Sequence, residues 1–341
     1  MSINQLFLQQ EFFKNLERSF ATRSDMVAAI GEDLRIGRNA VYRRLKGDTS
    51  LAASEMLQLA RSYHIDLNFI KDDPSRIAAY HPVAPVGITS EVDFFRALQR
   101  SIVTVQSWQE ASFHYVTPEL PLAYELLFPT VRALKIYFHG LTTWRLSKWK
   151  SVPFSPKLIH PEAIELAEDF VAQTFQLPGT ECLMPTLYDV TIGQINYLIE
   201  IGRLREKELV VALFEELTAL NEHLAAMCRA RRRFAPGQTA AAHHPAGSIY
   251  QNEIASTTNL LFVTSREQSV LITSPINPNF EVTTDEAVYK RSDQWYSALL
   301  EQGTLLGEGS AKHTAQFFRA SRLRIEQGRE KADSLLRQTA P

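Results

Sequence analysis

Between Arg38 and Lys46 the sequence reads RNAVYRRLK, and six of these nine side chains can form directional polar contacts: Arg38, Asn39, Tyr42, Arg43, Arg44 and Lys46. Counted from Arg35, five basic residues fall in twelve positions with no acid among them. A guanidinium can engage guanine O6 and N7, a carboxamide can pair with adenine N6 and N7, and a phenol can reach a phosphate or a thymine methyl. Arg44 and Lys46 suit backbone phosphates. Such chemistry needs the residues on one side of a helix lying in the major groove of double-stranded DNA, with Arg38, Asn39, Tyr42 and Arg43 nearest the base edges.

The spacing meets that need. At 100° per residue Val41 and Leu45 point one way, while Asn39, Tyr42, Arg43 and Lys46 at i, i+3, i+4 and i+7 point the other. A nine-residue helix with so narrow an apolar face is not stable alone and has to be clamped by neighbours. Candidates are the stripes Val27/Ile30/Leu34 and Met56/Leu59/Tyr63, and Phe13/Leu16/Phe20 marks a further helix before them. Only Arg35, Ile36 and Gly37 separate the second stripe from the basic segment, a connection short enough for a helix-turn-helix with Ile36 as its plug. Ser24 is placed as the N-cap of the second helix, and Gly47 ends the third where positive φ costs little.

At 341 residues the chain exceeds what one core usually holds, and two domains are expected. Residues 1–72 form the helix-turn-helix domain, the breaker-rich stretch KDDPSRIAAYHPVAPVG places a linker over 73–89, and 90–341 form the second domain. Helical periodicity recurs there at Phe95/Leu98/Ile102/Val105, Ile164/Ala167/Val171, Ile192/Ile195/Ile199 and Val210/Leu213/Leu217/Leu224. The exception is residues 248–285, where NLLFVTSREQSVLITS reads as two strands joined by a polar turn at Ser265 to Gln268. The fold expected is mainly α: a four- to five-helix N-terminal domain and a larger helical domain carrying a small antiparallel sheet.

Other chemistries are excluded on residue type. There is no HExxH, GxSxG, Walker A loop or GxGxxG, so no catalytic or metal-binding residues and no cofactor are assigned, and no enzyme is expected. Two cysteines, Cys182 and Cys228, make neither a disulfide framework nor a zinc site and suit a reducing cytoplasm. The start of the chain lacks the pattern of a signal peptide, and no run of eighteen apolar residues suggests a membrane span. A net charge of −2 means that any surface for a polyanion is a local patch. Paired acids, Glu165 with Glu168 and Asp169 and Glu215 with Glu216, read as solvated helix faces. Arg229, Arg231, Arg232 and Arg233 fall where cations complement a helix C-terminus, with a second phosphate contact as the alternative. The aromatic run from Trp108 to Trp149, with Phe113, Tyr115, Tyr124, Phe128, Tyr137, Phe138 and Trp144, leaves two readings open: an effector pocket or a plain core.

RNAVYRRLKG followed by LAASEMLQLARSYHIDLNFI resembles the N-terminal helix-turn-helix of a family of bacterial regulators abundant in Bacteroidetes and related to BetR-like and phage-repressor-like domains. The stretches PLAYELLFPTVRALKIYFHGLTTW and FEVTTDEAVYKRSDQWYSALL resemble that family's second-domain signatures, so the likeness spans most of the chain. Gly37 departs from the usual Ser, Thr or Asn at the start of the basic helix. The resemblance implies a DNA-binding transcriptional regulator whose C-terminal domain has no assigned role. The expectation is therefore a sequence-specific regulator of transcription whose second domain pairs it as a homodimer, senses a signal such as a small-molecule effector, or does both. The competing reading is a protein-interaction adaptor whose basic face meets an acidic partner. A defined sequence preference separates the two.

Overall fold

The computed structural model describes residues 3–17, 19–20, 22–63, 65, 67, 78–84, 87–255, 257 and 259–339. Positions 73–77, 85 and 86 of the interval read as a linker, and 64, 66 and 68–70 of HIDLNFI, lie outside the described residues. The chain divides into two compact units, Met1–Ala79 and Tyr80–Pro341.

In the first unit, helices α1 (Ile3–Glu17), α2 (Arg23–Asp33), α3 (Arg38–Lys46) and α4 (Ala53–Ser62) share one core. Phe12, Phe13 and Leu16 meet Met26, Val27 and Ile30, with Val41, Leu51, Leu59 and Ala60 closing the cluster. The N-cap of α2 is Thr22, whose hydroxyl accepts from the Asp25 amide at 3.2 Å, so Ser24 belongs to the first turn and not to the cap. Gly47 ends α3 at φ 84°, and a Cβ there would fall 2.0 Å from Leu6 Cδ1. Glycine is required on both counts.

The second unit corrects the expected fold. Its elements run β1 (His81–Pro82), α5 (Glu91–Gln106), β2 (Ser112–Thr117), α6 (Leu122–Glu125), α7 (Pro129–Thr142), α8 (Pro161–Thr174), β3 (Gly179–Leu183), α9 (Asp189–Glu200) and α10 (Lys207–Ala230). They continue through β4 (Gly247–Gln251), β5 (Asn259–Thr264), β6 (Ser269–Ile276), β7 (Asn279–Thr283), α11 (Glu286–Gln302), β8 (Thr304–Leu305) and α12 (Ala311–Thr339). The eight strands among the described residues form one mixed sheet in the order β1-β7-β6-β5-β2-β3-β4-β8. The unit is mixed α/β, not a helical domain with a small antiparallel sheet.

The β5–β6 hairpin has its turn at Ser265 to Gln268, and the meander continues through β7 to β1. Strands β2, β3 and β4 are parallel, Phe113 lying opposite Gly179 and Gly179 opposite Gly247, and parallel neighbours need crossovers that the intervening helices supply. Both faces of these strands are covered. Phe113 and Tyr115 pack with Ile102 of α5 and Leu177 on one side, and Val116 and Cys182 pack with Tyr296 and Leu299 of α11 on the other. Two-sided burial removes the alternation by which a strand is read from sequence.

Several polar groups are locked inside the second unit. Lys135 Nζ of α7 lies 2.6 Å from Glu125 Oε1 with neither side chain exposed beyond 1%, and His139 Nε2 lies 3.9 Å from the other carboxylate oxygen. Burial is the largest influence on Glu125 and would lift its pKa, but Lys135 and His139 together outweigh it and hold the carboxyl below its usual value. Burial keeps His139 neutral, its pKa lowered despite Glu125. Glu216 of α10, read as solvated, instead caps α7 by accepting from the amides of Thr130 and Val131 at 2.8–3.0 Å. A Cβ on Gly140 would fall 1.8 Å from Trp149 Cζ3, so only glycine admits that ring beside α7. Among the described residues no helix is long and apolar enough to cross a membrane.

Candidate nucleic-acid interface

The basic helix is built from its buried side outward. Val41, fully buried, anchors α3, while Leu45 is only half-buried against the same core. The turn from α2 runs through Leu34, Arg35 at φ 53°, Ile36 and Gly37, and the Ile36 amide donates to Gly31 O at 2.9 Å. Ile36 packs against the core as its expected role as plug requires. Gly37 offers no side-chain cap, and its carbonyl accepts from the amides of Ala40 and Val41 at 2.9 and 3.2 Å.

Two side chains fix where α3 ends. Gln9 of α1 is 4% exposed, donating from Nε2 to Arg44 O at 2.6 Å and to Thr49 O at 2.9 Å and accepting at Oε1 from the Leu51 amide at 2.7 Å. A single carboxamide thus satisfies one helix-terminal carbonyl and two loop groups that would otherwise be cut off from water. Arg44 then turns toward α4. Its Nη2 and Nε lie 2.8 and 3.1 Å from the two Glu55 oxygens, while Glu55 also accepts from the Ala52 amide at 3.0 Å.

Of the six residues assigned to DNA, five are exposed; Asn39, Tyr42, Arg43 and Lys46 share one face of α3 by helical spacing, and Arg38 lies exposed in the first turn nearer the side of Leu45. Tyr42 is 44% exposed, unusually open for a tyrosine with an apolar core one turn away. Arg44 does not join them. It is half-buried and paired with Glu55 of α4. Sequence reasoning passed over Gln9 and Glu55. The signal for Gln9 is a polar residue at i−3, i−4 and i−7 from Phe12, Phe13 and Leu16, on the apolar stripe of its own helix.

The Arg44–Glu55 brace makes the first unit sensitive to acid. Hydrogen bonding from Arg44 holds the Glu55 carboxyl below its usual value of 4.5. A depressed carboxyl contributes stability that is complete above the unfolded value and is lost as pH falls through the folded one. We expect Glu55→Gln to destabilise the unit at neutral pH and to flatten its loss of stability below about pH 4.5. Val41 and Leu59 methyl signals, followed through thermal melts across that range, report this unit alone.

In the second unit the two readings of the aromatic run separate by residue. Tyr124, Tyr137, Trp144 and Trp149 belong to the main core, Phe113 and Tyr115 line an apolar cavity beneath α5 and α8, and Tyr124 and Trp144 also border two other cavities. The arginine cluster also divides, since Arg231 donates to Ser248 Oγ at 3.1 Å near the surface whereas Arg233 is buried at 2% exposure. No family model, curated protein or solved structure matches the chain.

Proposed function

We propose that this protein is a sequence-specific DNA-binding regulator of transcription that reads the major groove with α3 and acts in the cytoplasm. The observation that carries this reading is the exposed side of α3, where Asn39, Tyr42, Arg43 and Lys46 share one face and Arg38 is exposed in the first turn, with no acid on the helix. Gln9 and Arg44 supply the rigid support that base reading needs, since hydrogen bonds to base edges tolerate little misplacement. One short helix reads only a few base pairs, so we further propose a homodimer on two half-sites about 34–36 Å apart, with the larger second unit as the platform for pairing.

Selection of bound sequences from a random duplex pool with the full chain tests the reading. A palindromic motif that survives random competitor, with affinity falling steeply with salt, is the expected result. Uniform weak binding to every duplex would favour an acidic protein partner instead. Arg43→Ala and Asn39→Ala should each weaken the selected site by about 1–3 kcal/mol and relax one base position. Lys46→Ala should weaken all duplexes alike and lower the salt slope by about one. An unchanged motif and affinity for folded Arg43→Ala would assign the groove-facing side elsewhere.

A further inference from the structure

Between α5, α8 and the sheet lies a cavity of about 120 Å³, walled by Leu98, Ile102, Leu177, Val263 and Phe280. Leu261 of β5 and Ile272 of β6 face one another across strands that are paired on both edges, yet each is only half-buried because it opens onto this space. Folded interiors pack as densely as organic crystals and hold few hollows larger than a water molecule. This one is close in size to an engineered protein cavity of roughly 150 Å³ that stays dry and admits benzene.

The polar side chains around it are already engaged. The Ser101 hydroxyl donates to Ala97 O at 3.1 Å, and the Thr174 hydroxyl donates to Phe170 O at 2.8 Å. Glu181 of β3 accepts from the Tyr124 hydroxyl and lies 3.2 Å from Arg233 Nη1. The Arg233 guanidinium packs against the rings of Phe113 and Phe175, and burial closes its Nε and Nη2 to any occupant of the cavity. Thr117 is within hydrogen-bonding reach of the Tyr115 hydroxyl. A guest therefore gains from apolar contact and finds no partner for a charge or a strong acceptor. Water is disfavoured for the same reason, since a buried water needs several polar partners.

We propose that the second unit binds a small uncharged hydrocarbon, about the size of a benzene ring, in the cavity between α5, α8 and the sheet. Recognition is by shape and apolar area alone. The site is built wholly within the second unit, so it does not depend on what the first unit binds.

Benzene, pyridine and benzoate test it on the full chain by methyl-detected NMR. Benzene should shift the methyl signals of Leu98, Ile102, Val263 and Ile272 saturably, leave those of Val27 and Leu59 in the first unit unmoved, and raise the midpoint of thermal unfolding of the second unit. Pyridine has the same shape but a ring nitrogen that would stay unpaired, and should bind at least about tenfold more weakly. Benzoate, which carries its charge into an apolar space, should bind more weakly still. Val105→Trp places a large ring at a half-buried α5 position on the cavity wall and should abolish saturation. The methyl map of the parent locates the site even where that variant does not fold. Absence of saturable benzene shifts at the four cavity residues overturns the proposal, as does pyridine or benzoate binding as tightly as benzene, or undiminished benzene binding by folded Val105→Trp.

Discussion

Lys135→Met should lower the unfolding free energy of the second unit by about 3–5 kcal/mol, because it strands the Glu125 carboxylate in the core without the cation that offsets its burial. The surroundings aggravate the loss. Glu119 lies close enough for the Glu125 charge to raise its pKa, second only to the effect of burial, so removing Lys135 takes away the cation between two neighbouring acids and leaves Glu125 beside a neutral His139. The sign of the pH effect follows. Glu125 in the variant takes up a proton more readily folded than unfolded, so its deficit relative to the parent shrinks as pH falls from 7 towards about 5. The double variant Lys135→Met/Glu125→Leu should recover most of the stability, since a buried ion pair replaced whole by apolar groups is often close to neutral. Urea unfolding of the four proteins closes the cycle. Losses that add, instead of cancelling, would mean that the pair does not act as a unit.

Val41→Asp should unfold the first unit while the second keeps its cooperative transition. Val41 is the one fully buried residue of α3 and touches the core from the centre of a nine-residue helix with no other deep anchor. An unpaired carboxylate there costs more than about 4 kcal/mol, comparable with the whole stability of a domain this small. Duplex affinity should vanish with it. Leu45→Asp makes the contrast, because Leu45 is half-buried and its carboxylate can turn partly to water. Retention of the Ile30 and Leu59 methyl signals in Val41→Asp would show that the core does not depend on α3.

These residues also mark how far the sequence could be read. The exposed side of α3 was legible because amphipathic spacing separates Val41 from Tyr42 and Arg43 whatever surrounds them. Its supports were not legible, since Gln9 acts across 35 positions on Arg44 O and Glu55 across 11 on the Arg44 side chain, and neither pairing leaves a local pattern. The β5–β6 hairpin could be read from its β-branched runs and polar turn. Strands β2, β3 and β4 could not, for they are five or six residues long, covered on both faces, and carry Glu181 where an apolar residue would be looked for. Arg233 was misplaced for a related reason. The run Arg229 to Arg233 looks like one exposed cluster until the chain leaves the helix at Arg231, at φ 52°, and turns inward two residues later.

The order of strands in the sheet fixes a timetable for folding. β1 pairs with β7 through His81 and Val282, and β2 lies between β3 and β5 through Tyr115, Glu181 and Leu261. During synthesis, therefore, β2 has one edge unpaired until β5 is made, and β1 has no neighbour until almost the whole chain has left the ribosome. The first unit has no such wait, because its helices contact one another within some sixty residues and can close while the second is still being made. The sheet pays a larger loop-closure entropy, and its unpaired edges stay open to other chains for longer. Crowding or a shortage of chaperones during synthesis should then claim the second unit first, whatever the relative stabilities of the two once folded.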